Sequence, residues 1–243
     1  MEPLDFDTAE RVLLEAEFGD CRPIWYSSNY VYLAVLRHPR AGEVLAIYKP
    51  ARGEAPLWDF PDGALYRREA AAYRFARAAG WNFVPPTVVR EGPQGIGALQ
   101  LFIPHDPHQH YFEQRERPEL AEQLQRIVLF DVVTNNADRK AGHLLLDGAG
   151  HVWGIDHGLC FHVQYKLRTV MWDWAGEPIP PKLLHELQRA AEGLEGEEAP
   201  FAALRELIRP EEYRAALQRA LALLERGRFP LPGPHRSYPW PLV

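Results

Sequence analysis

Apolar and polar positions change their period several times along the chain. Residues 7–18 carry Val12, Leu13 and Ala16 on one helical face, which predicts a short helix. Two β-rich apolar runs follow, 29–36 and 43–48, parted by the turn-like His38, Pro39 and Gly42. Together they predict a hairpin. Pro and Gly dominate 50–63, which reads as a loop. The helical period returns over 65–79 and stops at Gly80. Strands are predicted over 87–90 and 98–103, with a glycine-bearing turn at 92–97 between them. Pro104 and Pro107 then break the pattern.

The second half reads differently. Pro118 opens a predicted helix running to about Asn135. Two short strands, 144–146 and 152–155, flank a turn at 147–150. Beyond Pro180 the chain is helical in three segments that start near Lys182, Phe201 and Glu211. The last carries Tyr213, Leu217, Leu221 and Leu224 at helical spacing. A proline-rich tail after Arg228 is expected to pack as an extended strap or to fray. Strands plus one helix, a break, then mostly helices make an α+β layout of two lobes. The boundary is drawn at 103/104, with a sheet-bearing N-lobe over 1–103 and a mainly helical C-lobe over 104–243.

Composition narrows the function classes. The 243 residues suit one large domain or two small lobes around a cleft. Basic residues number 27 and acidic residues 33, a net charge of −6, which argues against a nucleic-acid partner. No run of 18 apolar residues and no charged-then-apolar leader is present, so the expectation is a cytoplasmic protein. Cys21 and Cys160 alone make neither a disulfide scaffold nor a thiolate zinc site. Lysine is scarce. The four lysines are Lys49, Lys140, Lys166 and Lys182, which makes each one of interest.

Three features carry candidate chemistry. Lys49 closes the apolar strand 44–48. Glu69 lies in the helix 65–79. The polar run 131–143, with Asn135, Asn136, Asp138, Arg139 and His143, ends an apolar helix and is followed by Asp156, His157 and Gly158. Two carboxylates on turns beside a small hairpin can face one cleft. A lysine neutralises nucleotide phosphates, one acid holds a divalent metal, and a second acid orients an attacking hydroxyl.

The run Asn-Asn-Ala-Asp-Arg at 135–139, followed by Ile-Asp-His-Gly-Leu at 155–159, resembles the catalytic and metal-binding loops of phosphatidylinositol 3- and 4-kinases. It is also similar to HipA-like bacterial protein kinases. Further stretches at 48–50, 56–63, 68–73, 84–87 and 166–170 resemble a mainly actinobacterial phosphatidylinositol 3-/4-kinase-like family. The resemblance implies a two-lobed protein-kinase-like fold and ATP-dependent phosphoryl transfer with Mg²⁺ or Mn²⁺. It implies Lys49 on the nucleotide phosphates and Glu69 as its ion-pair partner. Asp138 would be the catalytic acid, Arg139 would steady the loop or the transferring phosphate, and Asp156 would be the metal ligand. Backbone groups of Gln100, Leu101, Phe102 and Ile103 would meet adenine. Ser27, Ser28 and Asn29 would cap phosphates where protein kinases use a glycine-rich loop. One departure stands out. His143 occupies the place of the usual asparagine metal ligand, and imidazole suits Mn²⁺ better than Mg²⁺.

Other readings compete. Asp138 with Arg139 could cap a helix end, and Asp156 with Gly158 could form only a turn. Asp131 is read as structural. His105, His108 and His110 read as a surface cluster rather than a metal site, leaving a metal-dependent hydrolase as a minor alternative. The tryptophans read as packing, with Trp58 a candidate for the cleft wall. The leading expectation is a kinase acting on a protein or small-molecule hydroxyl. A membrane lipid is disfavoured by the negative net charge and the lack of a basic amphipathic stretch. A pseudokinase that only binds nucleotide and an adenylyltransferase on the same fold are the alternatives.

Overall fold

The computed structural model describes residues 4–24, 29–61, 63–196, 199–234 and 236–243. Chain order is α1 (Phe6–Glu15), β1 (Glu17–Ile24), β2 (Val31–His38), β3 (Gly42–Pro50), α2 (Leu65–Ala78), β4 (Thr87–Gly92) and β5 (Gly95–Leu101). There follow α3 (Tyr111–Gln114), α4 (Ala121–Thr134), β6 (Leu144–Leu146), β7 (Val152–Gly154), α5 (Pro181–Glu195), α6 (Ala199–Ala202) and α7 (Pro210–Arg226). The first five strands form one antiparallel sheet in the order β1-β2-β3-β5-β4, and β6 and β7 form a separate hairpin.

The helix expected over 7–18 stops earlier and is followed by an unforeseen strand. Asp5 opens α1 by accepting the Thr8 N–H at 2.9 Å. At Ala16 the backbone turns extended, and Glu17–Ile24 pairs with β2 as an edge strand. Pro23 within it is tolerated because an edge needs only one set of ladder bonds. This strand is mostly exposed, so its apolar alternation is weak, and pairing with β2 rather than local pattern defines it. The turn between β4 and β5 is tighter than expected, with Gly92 paired to Gly95.

Two cores result. The smaller lies between α1 and the sheet and holds Val12, Leu13, Leu36, Val44, Tyr48 and Leu99. The larger gathers α2, α4, α5 and α7 around Phe75, Trp81, Phe130 and Phe161. Helix α2 comes from the sheet-bearing half of the sequence, yet its Tyr73 and Phe75 pack in the larger core. That packing spans the cleft and fixes Glu69 relative to the C-terminal half. The Glu54 carboxylate caps α2 from a distance, accepting the N–H groups of Leu65 (3.0 Å) and Tyr66 (2.8 Å).

Candidate active site

Strand β3 alternates faces, so Val44, Ala46 and Tyr48 enter the core while Ile47 and Lys49 face the cleft. Gly97 sits opposite the end of this strand. A Cβ there would stand 2.5 Å from the Lys49 carbonyl oxygen, so glycine lets β5 approach and hold the lysine backbone. From α2, Glu69 is 3% exposed and reaches the Lys49 ammonium at 2.5 Å. Its other oxygen accepts the His157 N–H at 3.0 Å, which ties the helix to the loop bearing Asp156.

The turn after α4 is built from Asn135 and Asn136. Asn135 takes a left-handed conformation, φ 56°, and closes the helix. Its side chain donates to His162 O and Gln164 O and accepts the Lys166 N–H. Asn136 donates to Asp131 and accepts the Asp138 N–H at 3.0 Å, which sets the direction of the Asp138 side chain. Asp156 follows the β6–β7 hairpin in a left-handed conformation, φ 61°. For a non-glycine residue this costs on the order of 1–3 kcal/mol and persists only where neighbours enforce it. Ile155 N–H to His143 O (3.0 Å) and the His157 bond to Glu69 do so.

These elements converge. A cavity of about 470 Å³ is lined by Asn29, Lys49, Glu54, Glu69, Asp138, Lys140, His143 and Asp156, with Ile24, Val31 and Ile47 as an apolar wall. Lys49 Nζ lies 2.9 Å from Asp156 Oδ1, and His143 Nε2 lies 3.2 Å from Asp156 Oδ2. Asp138, His143 and Asp156 each offer a ligand atom, all within 4.8 Å of one another. Four carboxyl groups and two lysine ammonium groups line this cavity.

Protonation follows from these contacts. Burial works against the Lys49 ammonium, but Asp156 and Glu69 more than offset it and hold its pKa above the ordinary value. The same ammonium holds Asp156 well below the usual carboxylate range. Burial pushes Asp138 up, partly countered by Lys140, whose Nζ is 3.2 Å away. Burial lowers His143 to about 4, so its imidazole is neutral near pH 7 and able to ligate a metal.

Three expectations need correction or fall elsewhere. Arg139 is wholly buried and does not reach the cavity. Its guanidinium grips Asp131 through two 2.9 Å bonds and donates to Ile155 O at 2.8 Å, so it braces the loops instead of meeting phosphate. Asp131 is structural, as its sequence setting implies. Gln100, Leu101, Phe102 and Ile103, expected beside adenine, do not line this cavity. Gln100 turns its side chain to Thr87, the Leu101 and Phe102 N–H groups bond to Pro86 O and Leu45 O, and Ile103 O pairs with His105. Ser27 and Ser28 lie outside the described residues. Trp58 is 93% exposed and stands over Lys166, not in the cavity wall. Among the described residues, the histidines at 105–110 form no metal-ligand cluster.

Lys140 and Glu54 were missed by motif reading. Lysine scarcity was the available signal for the first, since Lys49 and Lys140 both face the cavity. Glu54 had none, because its helix begins eleven residues further on.

The sequence model described as phosphatidylinositol 3- and 4-kinase matches residues 87–226. Protein Rv2133c of Mycobacterium tuberculosis (strain ATCC 25618 / H37Rv) is 41% identical over 229 residues, covering 80% of this chain and 81% of that one. Phosphatidylinositol 4-kinase gamma 4 of Oryza sativa subsp. japonica is 33% identical over 143 residues, 50% of this chain but only 25% of the plant protein. The structure of hydra Fam20 with sugar superposes with a TM-score of 0.55 at 13% identity, covering 91% of this chain and 87% of that one. The last likeness concerns the fold, which is kinase-like. These comparisons bear on the lipid-kinase resemblance and not on the HipA-like one. The family model spans the turn carrying Asp138 and the loop carrying Asp156, and together with the mycobacterial relative it shows that this chain belongs to a bacterial branch of the phosphatidylinositol 3- and 4-kinase family.

Proposed function

We propose that the protein is an ATP-dependent phosphotransferase acting on a hydroxyl of a protein or small molecule. The observation that carries this reading is the convergence of Lys49, Asp138 and Asp156 on one cavity. Its volume of about 470 Å³ falls within the usual range for small-molecule sites.

The donor set fits a divalent cation. Asp156 and neutral His143 would hold it, with Asp138 within reach, and imidazole in the set favours Mn²⁺ alongside Mg²⁺. Such a cation supplies positive charge to a cavity that otherwise repels a triphosphate. Lys49 neutralises phosphate oxygens, and Glu69 keeps its ammonium in place. The acceptor oxygen attacks the γ-phosphorus, the bond to the β–γ bridging oxygen breaks, and ADP leaves. Asp138 aligns the acceptor hydroxyl and takes its proton, a role suited to a carboxyl whose pKa is raised by burial. Lys140, beside Asp138, offsets charge on the phosphoryl group in transit. The net charge of −6 supports an acceptor other than an anionic membrane surface.

The test is ADP formation with Mg²⁺ or Mn²⁺ by wild type and by Asp138→Asn. The variant should keep its melting temperature and lose turnover on the order of 10²-fold or more. Absence of both nucleotide binding and turnover in wild type would sink the proposal. Phosphorylation of phosphatidylinositol vesicles, and of no soluble acceptor, would overturn the acceptor class. His143 in the metal set favours a second reading, a nucleotide-binding module without turnover. Thermal stabilisation by ATP and metal without product would select it. A mass increase matching AMP would point instead to adenylyl transfer.

A further inference from the structure

The catalytic turn is held from inside by Arg139. It is also held from outside, by a segment distant in sequence. After α7 the chain continues as a strap whose described residues are 228–234 and 236–243. Phe229 is buried at its start, and Ser237 is buried again further along. At Ser237 the carbonyl accepts two hydrogen bonds, from Thr169 N–H at 3.0 Å and from Trp172 Nε1 at 3.1 Å. Thr169 in turn bridges to Arg139, whose N–H donates to Arg168 O (2.9 Å) and whose C=O accepts from Val170 N–H (3.1 Å). Further on, Leu242 O accepts the Ala141 N–H at 2.8 Å, and Val243 touches the place where a Gly142 side chain would begin.

The strap thus reaches both sides of the segment from Asp138 to His143. Ala141 is wholly buried, and its N–H would lose its acceptor without Leu242. Hydrophobic burial explains little of why the segment lies there, since Pro239 is buried but the segment's large apolar side chains are not. Tyr238, Trp240, Leu242 and Val243 stay 47%, 78%, 39% and 56% exposed, so they gain little by docking.

We propose that residues 236–243 are a positioning element of the active site. In this reading the Leu242 and Ser237 carbonyls fix the turn carrying Asp138 and His143. The proposal rests on the kinase reading for its consequence in turnover, but not for its structural content. A turn free to shift by about 1 Å would cost up to about 10²-fold in rate, with nucleotide binding at saturating metal little changed because Lys49 and Glu69 belong to other elements.

The experiment compares wild type with a chain ending at Trp240 and with a chain carrying Gly and Ser in place of 238–243. Three quantities are read: amide hydrogen exchange at Ala141 and Thr169, Mn²⁺ affinity by electron paramagnetic resonance, and kcat against KM for ATP at saturating Mn²⁺. Loss of the strap should speed exchange at Ala141, weaken Mn²⁺ binding, and lower kcat on the order of 10-fold or more, with KM at saturating Mn²⁺ held within about twofold. If the wild type proves to have no turnover, the kinase reading fails while exchange and Mn²⁺ affinity still decide this one. Should the shortened chain not fold, the Gly/Ser variant carries the test. Unchanged Ala141 exchange and Mn²⁺ affinity on strap replacement would overturn the proposal.

Discussion

The sequence leaves Arg139 two roles, steadying the loop or the transferring phosphate; the structure shows it bracing the loops, and replacing it by methionine separates the two. The guanidinium is wholly buried, as is the Asp131 carboxylate it pairs with. Methionine keeps most of the volume but removes both bonds to Asp131, the bond to Ile155 O, and the 2.8 Å contact with His157. Asp131 would keep only Asn136 as a side-chain donor. Breaking a buried pair by deleting one partner costs about 3–5 kcal/mol, because a buried charge is left uncompensated. A domain of this size has about 5–15 kcal/mol in all. Each kcal/mol shifts the melting temperature by about 2–4 °C at this chain length, so the expected drop is roughly 6–20 °C. Differential scanning calorimetry measures it. Pairing Arg139→Met with Asp131→Leu should recover much of the loss, since an apolar pair replaces an ionic one. The reasoning is refuted if Arg139→Met melts within about 2 °C of wild type yet loses turnover. That result would mean the guanidinium acts on phosphate in a conformation unlike this one.

Lys49→Met and Glu69→Gln should differ in degree. The first removes the ammonium that bonds Asp156, with an expected loss in turnover on the order of 10²–10³-fold. The second leaves Lys49 bonded to Asp156 and an amide oxygen for His157 N–H, so about 10-fold is expected. Equal losses in a radiometric assay would contradict the division of roles. Acid should destabilise the protein through His143. Its folded pKa is depressed to about 4, so its contribution is complete above the unfolded value near 6.5 and is lost as pH falls, when only the unfolded chain takes the proton. Between pH 7 and pH 5 this amounts to about 2 kcal/mol. His143→Asn should therefore show a shallower fall in melting temperature over that range, and parallel curves would exclude the assignment.

The periodic parts of the chain were legible because their burial is one-sided. Helix α2, the β2–β3 hairpin and the three last helices each repeat apolar residues at the period of their own backbone. Strand β1 was not legible, since both its faces are largely exposed and only partnership with β2 makes it a strand. The site was read from residue types at spacings that phosphoryl transfer requires, and the structure gathers Lys49, Glu69, Asp138, His143 and Asp156 at one cavity. What sequence could not supply was the sign of burial. Asp138 and Arg139 are neighbours of similar polarity, but the first faces the cavity and the second faces Asp131. Neither motif nor composition distinguishes a phosphate ligand from an internal brace, because both need an arginine beside an acid.

The arrangement also explains why so few contacts can control the whole site. Asp156 is reached by Lys49 from the sheet and by His143 from the catalytic turn, while its neighbour His157 is held by Glu69 from α2. Three separate elements therefore meet within two adjacent residues. The left-handed backbone at Asp156 is held by the Ile155 N–H bond to His143 O and the His157 N–H bond to Glu69. Carboxyl groups outnumber ammonium groups in the cavity, so entering positive charge is favoured. Divalent cation and nucleotide phosphate thus help each other in: the cation reduces repulsion between carboxylates, and the phosphates satisfy the cation and the Lys49 ammonium together. Cooperative binding of metal and nucleotide follows from the charge balance of the cavity itself.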